Sequence, residues 1–144
     1  MEEGWTEVTA AWKGELTFEG RNAAGGTVWM GPYRDQAGIG PMQLLLVAVA
    51  GCTGEDIVSI LQKKRHKLDD MQIKVRGKRA VDYPRIWTEI QITYLLWGED
   101  LPPKDVEQAI QLSEEKYCSV GVMLRSSSQV SSTYRIYKPG ESAS

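Results

Sequence analysis

Histidine and cysteine are scarce in this chain: one histidine and two cysteines among 144 residues. That scarcity removes the commonest metal centres. His66 has no cysteine or carboxylate at zinc-finger spacing, and there is no Cys-x-x-Cys pair. No metal and no bound cofactor is expected. A charge excess of either sign is also missing. The 17 Lys and Arg oppose 19 Asp and Glu, for a formal net charge of -2. Such a chain has no global field to gather nucleic acid. No unbroken apolar run approaches the roughly 18 residues that span a bilayer. Neither nucleic acid nor a membrane is an expected partner. The opening MEEGWTEVTA has acids where a signal peptide has bases, and it lacks an apolar core. The expected setting is therefore cytoplasmic. Thiols stay reduced there, and two cysteines far apart in sequence do not make a permanent staple.

What is present fits one globular domain over residues 1–144. Hydrophobic residues make up 42% and charged residues 25%. Five tryptophans supply large apolar surface for a core or an interface.

Periodicity orders the elements. TEVTAAWKGELTFEG alternates apolar and polar residues around Val8, Ala10, Trp12, Leu16 and Phe18, with a turn at Lys13-Gly14. After the turn RNAAGG, TVWM (27–30) completes an antiparallel meander. The loop 31–40 leads to Pro41, well suited to a first helical position. Residues 42–65 form a long helix, apolar almost all round from Leu44 to Ala50, so its first half should be buried on every side. Residues 71–81 and 85–98 alternate as strands, with Ile86, Thr88, Ile90, Ile92 and Tyr94 on one face and Trp87 on the other. Asp82-Tyr83-Pro84 turns between them. Residues 101–118 form a second helix, 119–124 a short helical turn and 127–138 a last strand. The tail PGESAS frays. The fold class is α+β, in the order β-β-β-α-β-β-α-β.

Cys52 sits in VAVAGCTGEDI, between Gly51 and Gly54. A cysteine in a buried helix is ordinarily packing material. A reactive thiolate needs partial access and a cation nearby. Glu55 and Asp56, three and four residues on, oppose such a thiolate. Cys118 in EEKYCSVGV either packs or captures an oxidised Cys52, which would require Cα atoms within roughly 7 Å.

GPMQLLLVAVAGCTGEDIVSIL followed by LSEEKYCSVGVML resembles the OsmC/Ohr family of osmotically inducible and organic hydroperoxide resistance proteins. The likeness runs from about Thr9 to Tyr137, and IKVRGKR and ITYLLWGEDLP share it. The resemblance implies an intertwined homodimer with the central helix buried in it. It implies active sites at the dimer interface, an organic hydroperoxide substrate and an external dithiol reductant. On the same ground Cys52 is the attacking thiol and Cys118 the resolving one. The family's N-terminal arginine maps to Arg21. Its glutamate after the proline has no counterpart, because Met42 and Gln43 stand there. Gln43 can hydrogen-bond, but it cannot make the salt bridge to Arg21. Trp29 and Tyr33 precede the helix and are placed to line an apolar pocket or an interface. The rival reading is a redox-sensing or small-ligand-binding protein of the same fold.

The remaining features carry less. KKRHK (63–67) is expected to be a solvated helix end suited to the negative end of the helix dipole, with His66 exposed in it. GRNAAGG lacks the Gly-Lys-Ser/Thr of a phosphate loop. SSSQVSS leads into an exposed strand.

Overall fold

The computed structural model describes residues 3–143. Met1 and Glu2 of the acidic N-terminal stretch and Ser144 of the tail lie outside the described residues. The chain divides into two compact units, Met1–Leu45 and Leu46–Ser144.

The first unit is built on β1 (Val8–Trp12), β2 (Phe18–Asn22) and β3 (Thr27–Met30), an antiparallel sheet in that order. Trp12 pairs with Phe18, Ala10 with Gly20 and Val8 with Asn22, while Phe18 and Gly20 pair with Met30 and Val28. Because side chains alternate, this register gathers Val8, Ala10, Trp12, Phe18, Val28 and Met30 on one face. Val8 is 70% exposed and Trp12 66%. The opposite face carries Glu19, which is buried, with Arg21 Nε donating to its Oε1 at 2.9 Å and Lys13 Nζ 3.8 Å away. The loop to the helix closes where Gly31 N donates to the Ile39 carbonyl at 2.9 Å. Gly38 is at φ +75°, and a Cβ there would lie 1.9 Å from the Gly31 oxygen. Only glycine fits.

The long helix α1 spans Pro41–Lys63. Gly40 is its N-cap, and its carbonyl takes the Leu44 N–H at 2.9 Å. Gln43, at the third helical position, reaches back with Oε1 to the Gly40 N–H at 3.0 Å. That is the return half of a capping box. At the other end His66 N donates to Leu61 O and Arg65 N to Gln62 O, with Arg65 at φ +64°. This is a Schellman stop with arginine in the position glycine usually takes.

In the single chain α1 is buried along one side only, at Val49, Thr53, Gly54, Ile57 and Leu61. Leu45 and Val47 are exposed, contrary to the expectation of all-round burial. By length and composition alone α1 is long and apolar enough to cross a bilayer, a test that the core helix of a globular domain also passes. The apolar run looked too short because Gly51, Thr53, Gly54, Glu55 and Asp56 interrupt it.

The second unit holds a sheet in the order β4-β5-β6, of Asp70–Arg79, Trp87–Trp97 and Gln129–Tyr137. β4 and β5 are antiparallel; β5 and β6 are parallel. The crossover between the parallel pair contains α2 (Pro103–Leu112), a π-helical turn (Ser113–Tyr117) and α3 (Ser119–Arg125). The second predicted helix therefore ends early and widens into that turn. Ile90, Ile92, Tyr94 and Leu96 of β5 meet Val49, Ile57 and Leu61 of α1 and Val106, Ala109 and Ile110 of α2 in one core. Gly54 lets α1 approach closely, since a Cβ there would lie 3.0 Å from Ile73 Cδ1.

Two expectations are corrected here. The register slips at Lys78/Arg79, so Trp87 joins the core side and Thr88 is exposed. The Trp87 ring lies over Gly77, where a Cβ would come within 2.7 Å of it. The tail is not frayed through Glu141. Its carbonyl accepts from Trp97 Nε1 at 2.7 Å, and its Oε1 accepts from Lys138 N at 2.8 Å.

Candidate functional site

The two cysteines meet inside the second unit. Cys52 lies midway along α1, half-buried against the core. Thr53 beside it is buried and turns its hydroxyl back onto the Val49 and Ala50 carbonyls at 3.1 and 3.3 Å. Cys118 lies where the π-helical turn ends and α3 begins. Its backbone is extended at φ -79°, ψ 96°, and its N–H donates to Ser113 O at 2.8 Å. Its Sγ accepts the Gly121 N–H at 3.2 Å. The two thiols are neighbours, and Cys52 is one of the groups that raise the Cys118 thiol.

The turn that presents Cys118 is pinned from several elements. Ser113 is fully buried, and its Oγ donates to Asp56 Oδ2 of α1 at 2.9 Å. Glu114 accepts from Tyr94 Oη of β5 at 2.7 Å and from Ser132 Oγ of β6 at 3.1 Å. The Glu114 carbonyl takes Arg125 Nη1 at 3.0 Å. A π-turn lacks the regular helix's tight ladder, and such turns concentrate at functional sites. Here side-chain bonds to α1, β5, β6 and α3 hold it. A Cβ on Gly121 would lie 3.2 Å from Cys118 Sγ and 3.1 Å from Arg125 Nη1, so this glycine keeps the thiol and the guanidinium close.

Burial dominates the electrostatics. It pushes the Cys118 thiol up to about 11, with the Cys52 hydrogen bond adding to the rise, the Gly121 N–H opposing it, and the charges of Cys52 and Asp56 raising it further. Tyr94 is raised well above the ordinary phenol range, first by burial and then by its bond to Glu114. It remains a phenol at any ordinary pH.

The other predicted site residues belong to the first unit. Arg21 is exposed at its side chain and bonded to Glu19. Trp29 and Tyr33 stack, with centroids 3.9 Å apart and an interplanar angle of 16°, and the Arg34 guanidinium lies 4.9 Å from the Tyr33 centroid. Met42 is the second residue of α1. Gln43 is occupied with the cap. His66 is not the exposed residue expected. Its Nε2 is 2.7 Å from Asp105 Oδ2, and Lys64 Nζ is 3.6 Å from the other oxygen. That pairing, His66 first, holds the Asp105 carboxyl below the usual range.

Sequence reasoning missed Ser113, Glu114, Tyr94, Gly121 and Arg125. One signal was available. Val106, Ala109, Ile110 and Ser113 continue a helical stripe, which places a polar serine on the buried face.

A family profile described as OsmC-like protein matches residues 34–133. The chain belongs to the OsmC family. Among its relatives is Protein YhfA of Escherichia coli (strain K12), 36% identical over 125 residues, covering 87% of this chain and 93% of that protein. A crystal structure of a hypothetical protein from Aquifex aeolicus VF5 is 36% identical with a TM-score of 0.83, covering 96% of this chain and 98% of the other. The organic hydroperoxide resistance protein OhrB of Bacillus subtilis shares the fold at a TM-score of 0.60, with 18% identity over 91% of this chain and 98% of that one. The OsmC-family profile takes in both cysteines, the π-helical turn and Arg125. The match begins after Arg21, Trp29 and Tyr33.

Proposed function

We propose that this OsmC-family chain is a thiol peroxidase for organic hydroperoxides, acting in oxidative stress defence. Cys52 attacks and Cys118 resolves. The observation that carries the reading is the asymmetry of the pair. Cys52 is half-buried and Cys118 fully buried, and the two are neighbours. A peroxide arriving from solvent meets Cys52 first. A Cys52 thiolate attacks the O–O bond, the alcohol departs, and sulfur is left as a sulfenic acid. Cys118 condenses with it to a disulfide and releases water. An external dithiol then restores both thiols by exchange.

Arg21 is proposed as the electrostatic partner of the thiolate. Trp29, Tyr33, Met42 and Gln43 are proposed in supporting or substrate-binding roles. These assignments rest on the family resemblance. The whole chain is proposed to work as one OsmC-like domain, paired as a homodimer, in the reducing cytoplasm. The exposed face of Val8, Trp12, Phe18 and Val28 supports the pairing, as do exposed Leu45 and Val47.

The test is intact mass and non-reducing peptide mapping after one equivalent of an organic hydroperoxide. The expected product is a Cys52–Cys118 disulfide, and Cys52→Ser should abolish peroxide consumption. Two free thiols in a folded protein after that treatment would sink the reading. A second reading is small-ligand binding or redox sensing. A concavity of about 490 Å³ in the first unit favours it, with Val8, Ala10, Val28, Met30 and Leu44 in its wall. Loss of the family's glutamate at Gln43 favours it too.

A further inference from the structure

The net charge of -2 hides an uneven distribution. Along the β4–β5 hairpin, residues 74–89, Lys74, Arg76, Lys78, Arg79 and Arg85 face only two acids, Asp82 and Glu89. All five cations are exposed, and none is held in an ion pair among the described residues. The hairpin is a basic arm on a chain that is acidic elsewhere.

The tip of that arm is apolar. Val81 is 89% exposed and Tyr83 88%, more than any other large hydrophobic side chain among the described residues. The base of the tip is braced. Arg79 Nε donates to the Arg85 carbonyl at 2.8 Å, Arg85 Nε to the Ala80 carbonyl at 3.2 Å, and Ala80 N to Ile86 O at 2.8 Å. Each arginine spends an N–H on the brace and keeps others for a phosphate, because a guanidinium has five. At roughly 3.4 Å per residue, Lys78, Arg79 and Arg85 stand within about 10 Å of the tip.

These features select the occupant. Two side chains on a hairpin end offer far less than the roughly 1,000 Å² that a stable protein interface buries. A layer of lipid headgroups is fluid and needs no preformed socket. Tyrosine suits the boundary between headgroups and acyl chains, and a collar of cations suits anionic phosphates. A nucleic-acid base would stack on Tyr83, but it gains nothing from an aliphatic Val81.

We propose that the β4–β5 hairpin tip docks the protein on anionic bilayer surfaces. Val81 and Tyr83 enter the headgroup boundary, while Lys78, Arg79 and Arg85 pair with lipid phosphates. Such a reversible contact needs no spanning segment, and it is independent of the peroxidase reading. It runs against the expectation, drawn from net charge, that no membrane is a partner. Asp82 is the one acid at the tip and opposes the contact.

The test is flotation of the full chain with two kinds of vesicle, phosphatidylcholine alone and phosphatidylcholine mixed with phosphatidylglycerol. Binding is expected to the mixed vesicles only, and it should weaken as salt rises. The Val81→Ser, Tyr83→Ser double variant should lower the partition coefficient by about 10-fold or more. Lys78→Gln should lower it about 5-fold, and Asp82→Asn should raise it. These side chains are exposed, so circular dichroism should match wild type in each variant. No flotation with mixed vesicles overturns the proposal, as does equal flotation with both kinds or flotation that the double variant leaves unchanged. Tip-dependent binding of a single-stranded oligonucleotide in place of the vesicles overturns it in favour of nucleic acid. Weaker self-association of the double variant in sedimentation overturns it in favour of a second copy.

Discussion

The two sheets treat their apolar faces in opposite ways. In the β4-β5-β6 sheet, Ile90, Ile92, Tyr94 and Leu96 are sealed under α1 and α2 of the same chain. In the β1-β2-β3 sheet, Val8, Trp12, Phe18 and Val28 share a face that stays open. Both patterns alternate with a period of two, so the sequences look alike. One sheet carries fold stability, and the other keeps an apolar face open. The closed sheet also holds the polar machinery. A partly buried Tyr–Glu–Ser network is affordable only where the surrounding core limits water and every member finds a partner.

Four changes would break or sharpen this contrast. The largest effect is expected from Ile92→Ala in the closed sheet, about 3 kcal/mol of lost stability in urea unfolding. A comparable truncation of Val28 should cost far less in the same assay. Next comes Trp12→Glu in the open sheet. Secondary structure and the thiol pair should persist, while self-association weakens by about 2 kcal/mol or more in sedimentation or light scattering. A third test uses pH. The Cys118 thiol is raised in the folded protein to about 11, above the free value near 8.5. Between those values the unfolded chain has lost its proton and the folded one has kept it, so stability falls as pH rises. Urea midpoints from pH 8 to 11 should drop more steeply for wild type than for Cys118→Ala. The smallest effect is at the end of α1. Arg65→Gly relieves a left-handed arginine and should stabilise by about 1 kcal/mol, read as a higher melting temperature.

Element order was legible because hydrophobic period alone separates a strand such as 71–81 from a helix such as 42–65. Three things were not. The slip at Lys78/Arg79 depends on the Trp87 ring seeking Gly77 across the hairpin, and no strand read alone reveals that. The π-helical turn has the same apolar stripe as a regular helix. Asp56, Tyr94 and Ser132, all distant in sequence, pin it in place together with Arg125 of the next helix. His66 sits in a basic run that looks solvated, yet its partner Asp105 comes from another helix. The thiol pair was legible through family resemblance and not through spacing, because a crossover of this length leaves the position of Cys118 open. Gln43 was read for chemistry, whereas its recorded bond is a cap.

The parallel pairing of β5 with β6 carries a consequence for how the protein is made. A parallel neighbour can form only after the whole connecting segment has folded back across the sheet, and such long-range pairings form slowly. Cys118 rides in that segment, and Ser132, one of the residues that holds its turn, lies on the final strand. The seat of Cys118 is therefore complete only when the crossover and β6 are both in place.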